Sequence, residues 1–153
     1  MRIKILLLVW FAAVDAIAAP DLLAELGQAK AKWESYGTEN YAFAISNKCF
    51  CTNPMEVGPL VIVVRGDKIQ RTVYAGSPRD GYSYGQAVRR RTPLRITVPK
   101  LFQYIEKQLR IHNHSYFKIK YDATDGHPLR IEFDDPALKN EESLILVEKL
   151  QRL

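Results

Sequence analysis

Cys49-Phe50-Cys51 places two thiols one residue apart, close enough to bond to each other, to exchange with another disulfide, or to hold a soft metal as thiolates. In an extended strand their Cα atoms stand about 6.7 Å apart, near the upper end of disulfide geometry, so a mutual bond requires a bend there. A three-residue ring removes little entropy from the unfolded chain, at most about 1.6 kcal/mol, so such a bond shapes a strand end more than it holds a fold together. A structural disulfide is the first reading of the pair. Redox exchange or thiolate metal binding is the second, and free or intermolecular thiols the third. Neither a Cys-x-x-Cys redox motif nor a four-ligand zinc pattern is present.

The stretch from Arg79 to Arg91 is the second group with chemistry in it. Arg79, Tyr82, Tyr84, Arg89, Arg90 and Arg91 combine the residue types that anchor protein interfaces, and arginine forks match carboxylate and phosphate oxygens. These six are the expected partner-binding residues. His112 and His114 could point the same way if extended, but with no third ligand nearby in sequence they read as a solvated turn. Asp122-Ala-Thr-Asp125-Gly126 has part of a calcium loop without its alternating ligands or terminal glutamate, and reads as a hairpin turn. No nucleophile elbow, no His-Glu-x-x-His and no Ser, His and Asp arrangement with recognisable context occurs, so the chain is expected to have no enzymatic activity, no metal and no cofactor.

Around these residues, hydrophobic spacing lays out the elements. Leu22, Leu26, Ala29, Trp33 and Tyr36 follow each other at intervals of four and three, one face of a helix that Asp21 caps and Gly37 ends. From Tyr41 to Cys51 alternate residues predict a strand with Tyr41, Phe43, Ile45, Cys49 and Cys51 on its core face, interrupted by Asn47. Leu60 to Val64 and Ile69 to Tyr74 form a hairpin around Gly66. Thr97 caps a second helix with Pro99 in its first turn and Leu101, Phe102, Ile105 and Leu109 along one side. Phe117–Tyr121 and Leu129–Phe133 make a second hairpin, and Leu144 to Val147 the last strand. The fold class is therefore α+β: an antiparallel sheet of about six strands with two helices on one face, in the order αβββ-αβββ. The strands led by Tyr41 and Tyr116 occupy matching places in that order.

The 153 residues, 47% hydrophobic and 25% charged, suit one core. Residues 1–18 differ: Arg2 and Lys4 precede the apolar run Ile5 to Val14, and Ala16-Ile17-Ala18 forms a small-residue cleavage site. They are expected to be a signal peptide, leaving residues 19–153 as a single domain. The apolar run is half of what a bilayer span needs, so no transmembrane segment is expected after cleavage. Removal of Arg2, Lys4 and Asp15 turns 22 basic and 17 acidic residues into 20 and 16, a net charge of +4. That suits an acidic protein or an anionic envelope surface as partner. No recognition helix or base-stacking platform points to nucleic acid.

These residues together resemble a family of small bacterial secreted proteins and lipoproteins known as domain of unknown function 6174. The shared features are Trp33 before Tyr41-x-Phe43, Cys49-Phe50-Cys51, the Val61-to-Ile69 hairpin at Gly66, Thr97-Val98 with Leu101-Phe102 and Ile105, and Tyr121-Asp122 with Gly126-x-Pro128. The chain departs from the pattern at His127, where an aromatic is usual, and at Asn140-Glu141-Glu142, which replaces a more aspartate-rich end. The resemblance implies a bacterial extracytoplasmic domain, periplasmic or secreted, and no particular activity. The leading expectation is thus a non-enzymatic binding module using residues 79–91, and the alternative a periplasmic thiol-redox or metal-carrying protein using Cys49 and Cys51.

Overall fold

Both long helices begin where a side chain satisfies backbone N–H groups that no helical carbonyl can reach. In the computed structural model, which describes residues 21–51, 54–78, 82–89, 92–139 and 142–153 (backbone alone at 54 and 55), α1 spans Leu22–Tyr36. The Asp21 carboxylate accepts from the N–H groups of Leu23 and Ala24, and Gly37 closes the helix at φ 63°. A single-turn α2 covers Pro54–Val57, and α3 spans Val98–Ile111. Thr97 caps α3 by accepting from the N–H of Lys100. The buried faces are those the spacing predicts: Leu22, Leu26, Ala29 and Trp33 on α1, and Leu101, Phe102, Ile105 and Leu109 on α3.

Six strands follow the expected order: β1 (Tyr41–Cys49), β2 (Leu60–Arg65), β3 (Lys68–Tyr74), β4 (Phe117–Tyr121), β5 (Pro128–Phe133) and β6 (Ser143–Arg152). They form one antiparallel sheet in the order β3-β2-β1-β6-β5-β4. Gly66 and Asp67, at φ 54° and 56°, make the two-residue turn between β2 and β3. One sheet face meets the helices through Tyr41, Phe43, Ile45, Leu60, Ile62, Val64 and Tyr74, all essentially without solvent contact. Large apolar side chains buried this completely contribute about 1.5–3 kcal/mol each. The hydroxyl of Tyr41 accepts the Val98 N–H at 3.0 Å, joining the central strand to the start of α3. Burial pushes this phenol up to about 12.

Three sequence expectations change. β1 ends at Cys49 and its core face at Ile45; Cys49 and Cys51 are half-exposed, because the bend that joins their sulfurs takes the chain out of the sheet. β6 runs on to Arg152, past the expected Val147, since its polar end pairs with the start of β1 across a bulge where Lys149 takes φ 54°. Tyr116 lies in a 3-10 turn ahead of β4, and β4 is an edge strand where β1 is central, so the two Tyr-led strands are not equivalent. The long connection after β3 also has a topological cause. β3 and β4 are opposite edges, about 24 Å apart at the usual strand spacing, and the 14 residues of α3 span about 21 Å of that distance.

Candidate functional site

A register shift in the β2–β3 hairpin helps to shape a strongly basic hollow. Val63 pairs with Arg71 but Val64 with Ile69, so Gln70 is an extra residue in β3. The shift puts Ile69 on the same face as buried Val64, the helix side of the sheet. There Ile69, Ile96, Pro93 and the ring of Tyr104 form the apolar part of a cleft of about 620 Å³. One wall is the β2–β3 turn and the coil before α3, carrying Lys68 and Arg95; the other is the exposed side of α3, carrying Lys100 and Lys107. Asp67 is the single acidic residue among the lining groups.

Within the described residues none of these four cations takes part in an ion pair, whereas Arg110 and Arg130 each hold a glutamate at 2.7 Å. The Nε of half-buried Arg95 is itself buried and has no hydrogen-bond partner among the described residues. Burial raises the Tyr104 phenol above its ordinary value, so it remains a neutral donor at physiological pH. The first N–H groups of α3 are not open to a ligand: the Val98 N–H goes to Tyr41, Pro99 has no N–H, and the Lys100 N–H goes to Thr97.

The partner-binding residues expected from the sequence divide into two sets. Arg79, Arg90 and Arg91 lie outside the described residues. Tyr82 turns inward, half-buried, with its ring 6.0 Å from Tyr74, while Tyr84 is 76% exposed and Arg89 is exposed. This segment is held against β3: the N–H groups of Gly85 and Val88 donate to the carbonyls of Tyr74 and Thr72, and the Tyr74 N–H donates to Gln86. From Val88 the chain continues to Pro93 and Arg95 in the cleft wall. The basic-aromatic segment and the cleft are therefore successive parts of one stretch of chain. None of the six expected partner-binding residues lines the cleft, and Lys68, Lys100 and Lys107, which do, were not among the sequence candidates. Their only signal was the spacing of Lys100 and Lys107, which puts both on the solvent side of α3.

Cys49 and Cys51 form a disulfide with Cα atoms 5.1 Å apart, and neither of the chain's two cysteines is free. Phe50 between them is 67% exposed. Thiolate ligation of a metal would first require reduction. Because the ring is so small, replacing both cysteines with alanine is expected to lower the unfolding free energy by no more than about 1.6 kcal/mol, measured by urea denaturation. A loss above about 3 kcal/mol would show that the bond does more than bend the end of β1.

The histidines and the Asp122 turn are occupied by structural bonds. His112 packs 4.9 Å from the ring of Phe133, and the Nε2 of His114 lies 2.9 Å from the Leu109 carbonyl at the end of α3. Asp122 accepts from the N–H groups of Thr124 and Asp125. Burial alone would raise its carboxyl, but these donors and the nearby His127 outweigh it and hold it below the usual value. His127, 5% exposed, donates its backbone N–H to Asp125, and its Nδ1 lies 2.5 Å from the same oxygen. Asp122, Asp125 and His127 bring three possible ligand atoms within 4.8 Å of one another. Each of them is already engaged in closing the turn. The Asp125–His127 pair was invisible to the sequence reading, which noted His127 only as a departure from a usual aromatic.

Helices on one side of a six-stranded antiparallel sheet, with an open basic cleft where α3 passes the β2–β3 turn, define a two-layer α+β protein. The chain belongs to a family of unknown function (DUF6174), whose pattern matches residues 25–152. No curated protein and no solved structure matches it significantly. No helix among the described residues is long and apolar enough to cross a membrane.

Proposed function

We propose that the protein is a non-enzymatic, extracytoplasmic binding module that holds an acidic protein or an anionic envelope surface against its basic face. The observation that carries this reading is the convergence of Lys68, Arg95, Lys100 and Lys107, from three separate segments, on one cleft with a single carboxylate. Like charges gathered without counter-ions repel each other, and an anionic partner relieves that repulsion while it gains attraction. Arg89 and Tyr84, both exposed, lie in the stretch of chain that leads into Pro93 and Arg95 of the cleft. The extracytoplasmic setting is supported by the leader-like composition of residues 1–18 and by the disulfide, a bond that persists in oxidising compartments.

The test is capture of acidic proteins on the immobilised protein at increasing salt. Recovery should fall steeply between 50 and 300 mM salt, because exposed charges are screened over that range. It should fall several-fold further when Arg89, Arg90 and Arg91 are replaced with alanine. Recovery indifferent to both salt and the arginines would reject the reading.

A further inference from the structure

Resting on that reading, we infer that the cleft between α3 and the β2–β3 turn is a receptor for an extended acidic peptide segment of a protein partner. The shape of the site separates this occupant from an anionic surface. A bilayer meets a protein across a flat or convex face, with apolar side chains projecting into it. Here the apolar groups, Ile69, Ile96 and the Tyr104 ring, share a cleft of about 620 Å³ with the cations. Of the exposed large hydrophobic side chains, the four most exposed, Phe50, Tyr84, Ile111 and Leu153, lie outside the cleft lining, and only Tyr104, 37% exposed, lies in it.

The size of the site separates the peptide from a small ion. Lys100 and Lys107 are two helical turns apart, about 10.5 Å along the axis, too far for one phosphate or carboxylate to meet both. That length corresponds to roughly three or four residues of extended chain. An extended chain sends alternate side chains to opposite sides, so neighbouring acidic residues would reach Lys68 and Arg95 on one wall and Lys100 and Lys107 on the other. The remaining groups suit the backbone and an apolar side chain of such a segment. The Tyr104 hydroxyl can donate to a peptide carbonyl, and Gln103 can both donate and accept. Arg95 reaches the site from half-buried surroundings, so less of its side-chain entropy is lost on binding than for a free surface arginine.

The assignment is tested by fluorescence anisotropy with a labelled ten-residue glutamate-rich peptide, its glutamine counterpart, inorganic phosphate as competitor, and vesicles rich in anionic phospholipid. The protein should bind the glutamate peptide at least tenfold more tightly than the glutamine one. Millimolar phosphate should compete little beyond its ionic strength. Lys100→Glu with Lys107→Glu, both on exposed helix positions and checked by thermal unfolding, should weaken binding at least tenfold, and Arg95→Met about as much. Replacing Arg89, Arg90 and Arg91 should cost only a few-fold, through weaker steering. If the arginine variant abolishes peptide binding while the cleft variants bind normally, the cleft is not the receptor, although the binding-module reading survives. Vesicle binding without peptide binding overturns the peptide assignment and leaves that reading standing. Failure to bind any of the anions overturns both.

Discussion

Replacing Trp33 with alanine is expected to lower the unfolding free energy by about 3–5 kcal/mol, the range for deleting a large aromatic side chain from a packed core. The indole is 5% exposed. It meets Tyr41 edge-on at 5.3 Å, and it lies 6.4 Å from both Tyr36 and the buried imidazole of His127. It is thus the point where α1, the central strand β1 and the turn between β4 and β5 touch. Collapse around the cavity is hindered on two sides, because Tyr41 is fixed by its bond to Val98 and His127 by its bonds to Asp125. Urea denaturation followed by circular dichroism should show a lower midpoint with an unchanged slope. A loss below about 1 kcal/mol would mean that the indole is not the anchor of this junction.

Gly126→Ala should cost about 2–4 kcal/mol for a different reason. Gly126 sits at φ 82°, in a region that alone costs an L-residue about 1–2 kcal/mol. A Cβ built there runs into the carbonyl oxygen of Ala29 in α1 and comes within 3.0 Å of the Lys32 Cβ. The obstacle is helix backbone, which cannot rotate away, so α1 and the turn must separate. Gly66→Ala separates the two effects: Gly66 has a similar φ of 54° but nothing within 4 Å of its would-be Cβ, so only the conformational cost of about 1–2 kcal/mol applies. Equal losses at the two glycines would show that the close approach of α1 to the turn carries no energetic weight.

The local parts of this fold are legible from the sequence because their signals are local. Asp21, Gly37 and Thr97 sit where helix ends need them, and the four-and-three spacing selects the buried faces of α1 and α3. Gly66 marks its hairpin through a conformation that few other residues adopt. What the pattern could not provide is which strands meet across distance. Alternation along β1 shows that one face is buried, but not that β6 is its neighbour, so the last strand was expected only as far as Val147. The reach of β1 was overestimated because the two cysteines alternate like core residues, while their bond bends the chain out of the sheet. The basic cleft was not legible: residues 79–91 stand out by composition, yet none of them lines it, and Lys68, Arg95, Lys100 and Lys107 meet only through the passage of α3 beside the β2–β3 turn. The Asp125–His127 pair needed the packing of α1 to become visible, since a histidine in a turn is ordinarily solvated.

The strand order has a kinetic consequence. The middle of the sheet is the seam between β1 and β6, where Tyr41 pairs with Arg152 and Cys49 with Ser143, so nearly the whole chain must exist before that seam can close. Each outer trio contains hairpins that can form early from neighbouring residues, β2 with β3 and β4 with β5. Closing the seam between the two halves is a long loop closure, of the kind that slows folding at a given stability. Until the final ten residues arrive, β1 presents an unpaired edge at what becomes the centre of the molecule. A chain shortened at its carboxyl end would therefore lose the joint between its halves, not a peripheral strand.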